Sequence, residues 1–245
     1  KGWMSVSGII GTHHILAYIL TNFGTEEQKY RFLPKLAAGD LRGGLALTEP
    51  EAGSDVQNIH TAAAKDGEWY ILNGRKMFIS NGESGNVFAV LAKTDSAVRP
   101  AHKGISCFVV EKPCEGFSVG QHLDKLGYRG LDTCELIFEN CRVSPENLVG
   151  GKKGEGFAQV MSGLETGRLN VAARAVGVAT AAFEASIRYA QRRETFGVPI
   201  AQHQIIQAKL ADMGTKIRAA RLMTYDAAAR KYSGHRIDLE AGMAK

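Results

Sequence analysis

The nine residues Leu47-Thr48-Glu49-Pro50-Glu51-Ala52-Gly53-Ser54-Asp55 gather two hydroxyls, a proline bend and a Gly-Ser pair, a mixture suited to holding a polar ligand. Pro50 fixes its own φ and biases Glu49 toward an extended backbone, while Gly53 permits a close approach or a positive φ. Thr48 and Ser54 can then present hydroxyls, and the loop amides N–H donors, to an anion or a heterocycle. By composition alone, a solvated turn accounts for the same residues.

Hydrophobic periodicity shows which elements must position this loop. From about Val6 to Gly39 the pattern is helical: Ile9, Ile10, His13, Leu16, Ala17 and Leu20 recur at helix spacing and Gly24 fits a stop. Thr25-Glu26-Glu27-Gln28 reads as a capping box opening a second helix that Pro34 limits or kinks. This helical material starts without a leader or a cap, which suggests that something is missing upstream.

From about Arg42 to Gly150 short β runs alternate with turn dipeptides. Ala62–Lys65 and Glu68–Leu72 flank Asp66-Gly67, and Asn73-Gly74 separates that run from Lys76–Ser80, each dipeptide reading as a hairpin turn. Asn86–Thr94, Gly104–Glu111, Phe117–Leu123 and Cys134–Glu139 add strands, with 96–103 a loop between two of them. Some seven short strands with tight turns imply a small antiparallel barrel or sandwich.

Helical periodicity returns after the glycine-rich run 150–156, which lacks the Walker spacing and reads as a flexible turn. Phe157 to Arg192 is one expected helix and Gln204 to Lys231 another, the latter with Ile206, Leu210, Met213, Ile217, Ala220 and Thr224 along one stripe. A further helix is expected around 242–245. The fold class is therefore α+β and multi-domain: a helical domain over 1–40, a central β domain over 41–150 and a helical bundle over 151–245.

Charge and cysteines narrow the chemistry. Thirty basic against 25 acidic residues leave +5, dispersed along the chain, which argues against a nucleic-acid surface and suits anionic small ligands. Cys107, Cys114, Cys134 and Cys141 lack Cys-x-x-Cys spacing and read as thiols of a reducing compartment. No His pair falls at ligand spacing, so no metal site is expected. The apolar run Ile15–Leu20 is too short to span a bilayer, and no membrane span is expected.

The loop Leu47–Asp55 resembles the flavin-binding loop of the acyl-CoA dehydrogenase family. Other family marks follow in order: Asn73-Gly74-Arg75-Lys76, Phe78-Ile79-Ser80-Asn81-Gly82, Leu164-Glu165-Thr166-Gly167-Arg168, Arg193-Glu194-Thr195-Phe196-Gly197 and His203-Gln204. Several motifs in one order are far more specific than any alone, and the similarity runs along essentially the whole chain. It implies an N-terminal helical domain, a central β domain and a C-terminal four-helix bundle, with both outer domains partial.

The resemblance also implies roles. FAD would be held by Thr48 with the backbone of Leu45, Ala46 and Leu47, by Gly53, by Ser54 at the pyrophosphate, by Phe78 lying along the flavin with Ile79 beside it, and by Ser80 near flavin N5. Arg193, Thr195, Phe196 and Gln204 resemble residues offered to the FAD of a neighbouring subunit, which makes the expected protein a homo-oligomer, a dimer of dimers. Glu165, Arg168 and Ser54 would meet the acyl-CoA substrate; from the residues alone, Glu165 and Arg168 three apart could equally be an intrahelical ion pair.

The implied reaction is α,β-dehydrogenation of an acyl-CoA thioester in fatty-acid β-oxidation, with electrons passed to electron transfer flavoprotein. The family's catalytic Glu is expected beyond Lys245; its alternative position, directly before the bundle Arg, is Gly167 here, so no catalytic residue is nominated. Alternatives are a flavin oxidase or monooxygenase on the same scaffold, or a non-catalytic subunit that binds FAD or acyl-CoA. The compartment would be the cytoplasm in a bacterium and the mitochondrial matrix in a eukaryote.

Overall fold

The structure, a computed structural model, describes residues 2–245. Two compact units divide it, one of Ser5–Leu164 and one built on Glu165–Lys245.

In the first unit, helices α1 (Met4–Phe23) and α2 (Glu26–Ala38) precede seven strands: β1 (Gly43–Ala46), β2 (Ala62–Asp66), β3 (Trp69–Ser80), β4 (Val87–Lys93), β5 (Ile105–Glu111), β6 (Phe117–His122) and β7 (Thr133–Val143). All seven belong to one sheet. β4 and β5 are apolar at nearly every position because both of their faces are covered. Side chains alternate across a strand, so Val87, Ala89, Leu91, Ile105, Cys107 and Val109 enter one core with Leu16, Ile19, Leu20 and Phe32 of the helices. Phe88, Val90, Phe108 and Val110 enter a second, with Tyr70, Leu72, Leu136 and Phe138 of the curled half of the sheet.

The expected antiparallel sheet is mixed at one end. β4 pairs antiparallel with β5, but its other edge takes β1 in parallel, Gly43 opposite Val87 through Ala46 opposite Val90, and β2 in parallel at Ala62–Lys93. The forty residues between β1 and β4 are ample for the crossover a parallel pair requires.

Asp66-Gly67 opens the β2–β3 hairpin, but Asn73-Gly74 is no turn: β3 runs unbroken through it, and the pairing with β7 shifts register there. The dipeptide makes a bulge. Asn73 Oδ1 accepts the Asn140 amide at 2.8 Å, and Gly74 has φ 151° where an added Cβ would lie 2.4 Å from Thr61 Oγ1.

Two helices bear on the remaining expectations. α2 continues through Pro34 and ends at Gly39, φ 84°. The carbonyl that Pro34 leaves without an N–H belongs to Tyr30, an exposed residue, so water can satisfy it. α1 is long and apolar enough to cross a membrane by composition, although Ile15–Leu20 alone is too short. Leu16, Ile19 and Leu20 are fully buried in the protein core, whereas Met4, Val6 and Ile10 near its start are exposed.

The capping box at Thr25 and Gln28 is present, and Gln28 does more than cap. Its amide nitrogen donates to the carbonyls of Glu146 (2.7 Å) and Leu148 (2.8 Å), and its oxygen accepts from Gly150 N at 3.1 Å. The segment held in this way lies along β5, where Phe108 and Leu148 form a bridge and Asn147 Nδ2 donates to the Val109 carbonyl at 2.8 Å.

The long helix α3 (Gly156–Arg192) begins in the first unit and continues in the second. Beyond it lie a small hairpin of β8 (Glu194–Thr195) and β9 (Val198–Pro199), helix α4 (Gln204–Tyr232) and helix α5 (Asp238–Ala244).

Candidate functional site

The loop after β1 is fastened to β3 at three successive residues, Leu47, Thr48 and Glu49. The Leu47 carbonyl accepts from Lys76 Nζ at 3.1 Å and the Thr48 carbonyl from Met77 N at 2.8 Å; Glu49 and Ala52 then exchange both backbone hydrogen bonds in a tight turn. At its centre is a buried ion pair that sequence reasoning did not nominate. Lys76 Nζ, wholly buried, lies 2.8 Å from Glu49 Oε1, and the same carboxylate accepts the amides of Thr61 (3.0 Å) and His60.

Burial pulls the Lys76 ammonium down to about 8, Glu49 opposing the change. Burial would raise the Glu49 carboxyl, but Lys76 and the donated hydrogen bonds outweigh it and hold the group below its ordinary value. Both residues stand inside the quoted motifs. An acid and a lysine 27 residues apart simply carry no sequence mark of being partners.

The pair fixes β3 just before Phe78. There the β3–β7 register shifts between Lys76 and Ile79, and Phe78 adopts φ 62° with 63% of its surface exposed. A phenyl ring in left-handed backbone, turned out to solvent from a bulge, is costly to maintain and well placed as an apolar platform. Ile79 turns into the second core, and Ser80, half-buried, pairs with Thr133.

Asn81, φ 59° and fully buried, ends the motif as an anchor. Its Nδ2 donates to the carbonyls of Gly43 (2.9 Å) and Ile9 (3.2 Å), tying β1 and α1 to the end of β3. Asp132 holds the next turn by accepting the amides of Glu83 (2.7 Å) and Ser84 (3.3 Å).

Leu45 and Ala46 lie in β1, beside Ala89 and Val90. Gly53 has open space where a Cβ would point and no positive φ, so neither packing nor backbone geometry demands glycine there. Ser54 is exposed. The hydroxyls of Thr48, Ser54 and Ser80 have no protein partner among the described residues. An open cavity of about 570 Å³ adjoins the turn, lined in part by Glu49, Pro50, Thr61, Arg75, Met77 and Glu135.

The remaining nominated residues belong to the second unit. Arg193 is exposed just past α3, its amide donating to the Tyr189 carbonyl at 2.8 Å. Thr195 Oγ1 lies 2.7 Å from Nε2 of His203, a residue quoted in a motif but given no role, which precedes Gln204 at the start of α4. Phe196 (φ 54°) and Gly197 (φ 78°) form the hairpin tip with positive φ at both central positions, and Phe196 is 97% exposed. Glycine suits such a turn; phenylalanine does not, unless the ring is wanted outside.

Glu165 does not pair with Arg168. It takes Lys231 of α4 at 3.0 Å, because the neighbouring helix offers an ammonium more directly than the next turn of its own. Arg168 is half-buried and makes no ion pair among the described residues.

The donors fit a flavin. Three unpartnered hydroxyls and an outward aromatic ring stand on one rigidly pinned loop and strand, the combination of polar handles and flat apolar surface that a ring system such as isoalloxazine requires.

Comparison with known proteins adds independent observations. Residues 1–40, 44–141 and 154–245 match the N-terminal, middle and C-terminal domain models of acyl-CoA dehydrogenases. An acyl-CoA dehydrogenase of Bacillus subtilis is 46% identical over 99% of this chain and 62% of its own length. The 2-methylacyl-CoA dehydrogenase of Solanum tuberosum, a mitochondrial protein, is 47% identical over 97% of this chain and 57% of its own. The butyryl-CoA dehydrogenase structure of Megasphaera elsdenii superposes with a TM-score of 0.95 at 38% identity, covering 98% of this chain and 63% of that one. The chain thus spans about three-fifths of the length of the relatives it matches.

Proposed function

We infer the function from one premise, that this chain belongs to the acyl-CoA dehydrogenase family: it carries the FAD-binding surface of an oxidoreductase that acts on the CH–CH bond of an acyl-CoA thioester. The observation that carries the reading is the pinned Leu47–Ser54 turn beside the outward, left-handed Phe78.

When bound, FAD supplies the acceptor for a hydride from the substrate β carbon. The chain's own residues bind and orient. Thr48 and the Leu45–Leu47 backbone offer hydrogen bonds to the ring, Phe78 covers it and excludes water, and Ser80 places a hydroxyl where a donor favours the electron-rich reduced form. Ser54 meets the pyrophosphate, with Gly53 leaving the approach open. Glu165 and Arg168 face the coenzyme A portion of the substrate. Arg193, Thr195, Phe196 and Gln204 serve the FAD of a second subunit, with Thr195 oriented by His203.

No residue of this chain is assigned the removal of the α proton. Gly167 offers no side chain, and Glu165 is engaged by Lys231. The electron acceptor is electron transfer flavoprotein in this reading.

The test is the visible spectrum of the full-length protein under anaerobic conditions, titrated with a mixed set of acyl-CoA thioesters. Loss of the oxidised-flavin band on titration is expected, with slow return in air and fast return with electron transfer flavoprotein. A flavin-loaded protein whose band does not change would leave a binding subunit without this chemistry. Fast return in air alone would make it an oxidase.

A further inference from the structure

Two of the four thiols face each other. Cys114 lies in the turn between β5 and β6, half-buried, and Cys141 near the end of β7, fully buried; their sulfurs are 3.2 Å apart across 27 residues of sequence. The approach is built into the backbone. Cys114 to Phe117 form a turn closed by Phe117 N to Cys114 O at 3.1 Å, and that turn is bonded to β7 through Glu139 N to Gly116 O at 2.8 Å.

Gly116 makes this contact possible. With φ 77°, a Cβ there would sit 2.3 Å from the Glu139 carbonyl and 2.8 Å from Cys141 N, so only glycine lets the turn lie flat on the strand. β3 backs the other side of β7, with Leu72 opposite Cys141, and Cys141 is packed in the second core. The two sulfurs are therefore held together by backbone on both sides, and need close by only about 1.2 Å to reach bonding distance.

We propose that Cys114 and Cys141 are a reversible dithiol–disulfide site, oxidised by a peroxide and reduced by small thiols. The order of events follows from access. Cys114, the thiol with exposed surface, attacks the peroxide oxygen: the O–O bond breaks, water leaves, and sulfur is oxidised to a sulfenic acid. Cys141 then attacks that sulfur, the S–O bond breaks with loss of a second water, and an S–S bond forms. Overall, two thiols and one peroxide give one disulfide and two waters, two electrons passing from the sulfurs to the peroxide.

Burial, with Cys114 beside it, raises the Cys141 thiol above its ordinary range, so it waits protonated until a partner is activated 3 Å away. Cys107, fully buried and pushed up to about 12 by that burial, is an internal control. Cys134 is a second, buried beside His122.

The experiment treats the full-length protein with hydrogen peroxide, alkylates it in denaturant and maps peptides without reduction. The expected product is one peptide pair joined through residues 114 and 141, with Cys107 and Cys134 alkylated in full and the link undone by dithiothreitol. The oxidised form should also show a higher urea midpoint, which dithiothreitol reverses. Cys114→Ser and, separately, Cys141→Ala should each abolish the link, and Cys141→Ala should leave Cys114 stopped at an acid or a mixed disulfide. The proposal fails if Cys114 in the native sequence stops there too while Cys141 stays alkylatable. It fails equally if both thiols survive peroxide that oxidises free glutathione in the same tube.

Discussion

Lys76 and Phe78, two residues apart, carry opposite burdens: one charge taken wholly out of water, one ring turned largely out into it. For the lysine, removing the partner matters more than the pair itself, because an isolated buried carboxylate has only two amides to lean on. Lys76→Met should therefore destabilise the protein by about 3–5 kcal/mol in urea denaturation, and Glu49→Gln in the Lys76→Met background should recover part of that loss. The pH dependence has a definite sign. Between about 8 and 10.5 the unfolded lysine is protonated and the folded one is not, so this group makes stability rise with pH across that window, and Lys76→Met should remove the rise. Glu49 acts at the other end. Its folded value is depressed, so its contribution is complete above the ordinary 4.5 and is lost as pH falls through the lower folded value.

Phe78 gives a different trade. Left-handed backbone costs a non-glycine residue about 1–2 kcal/mol, whereas glycine adds about 0.4–1 kcal/mol of unfolded-state entropy. The exposed ring adds little packing, so Phe78→Gly should leave stability unchanged or raise it by up to about 1 kcal/mol. Flavin affinity should fall roughly tenfold in a fluorescence titration, since a stacking contact is worth about that much. Equal loss of stability and affinity would show that the ring serves the fold instead.

At the scale of elements, the capping box shows what a sequence pattern does and does not reveal. Thr25 and Gln28 are legible because their spacing is local. The carbonyls of Glu146 and Leu148 that Gln28 also satisfies lie 118 and 120 residues away, and nothing in either segment advertises the other. Gln28→Ala should accordingly cost more than a cap alone: about 1 kcal/mol for the box, plus about 1–3 kcal/mol for the buried Leu148 carbonyl left without a donor. Chemical denaturation of Gln28→Ala beside Thr25→Ala separates the two parts.

The same division between local and distant signals runs through the sheet. Strands β4, β5 and β6 stand within a residue or two of their expected limits, because alternation and flanking turns are local. Asn73-Gly74 misleads because its hairpin chemistry is also bulge chemistry, and only Thr61 and Asn140, distant in sequence, decide between them. The parallel pairing of β1 is likewise invisible in four residues of Gly-Gly-Leu-Ala. At the candidate site, the loop and Phe78 were legible as motifs, whereas the Glu49–Lys76 pair and the His203–Thr195 contact are facts of folding.

At the scale of the whole molecule, each unit presents one phenyl ring from left-handed backbone, Phe78 in one and Phe196 in the other. If Phe196 and Arg193 serve the FAD of a second subunit, flavin content must follow assembly. Gel filtration with flavin quantitation should find FAD in the oligomeric fraction of the full-length protein and little in any monomer. Phe196→Gly should lower the flavin content of the oligomer without dispersing it, because a hairpin tip adds little to subunit cohesion. A fully loaded monomer would end the shared-site reading.

The segment that Gln28 suspends along β5 has a bearing on the crowded interior of a cell. A sheet margin with free amides and carbonyls invites a strand from any passing chain. Here the Leu148 backbone bridges Phe108 and the Asn147 side chain takes the Val109 carbonyl, so that margin is already occupied in part by the protein's own chain. Loosening Gln28 would uncover it, turning a small loss of folding energy into a route to uncontrolled self-association.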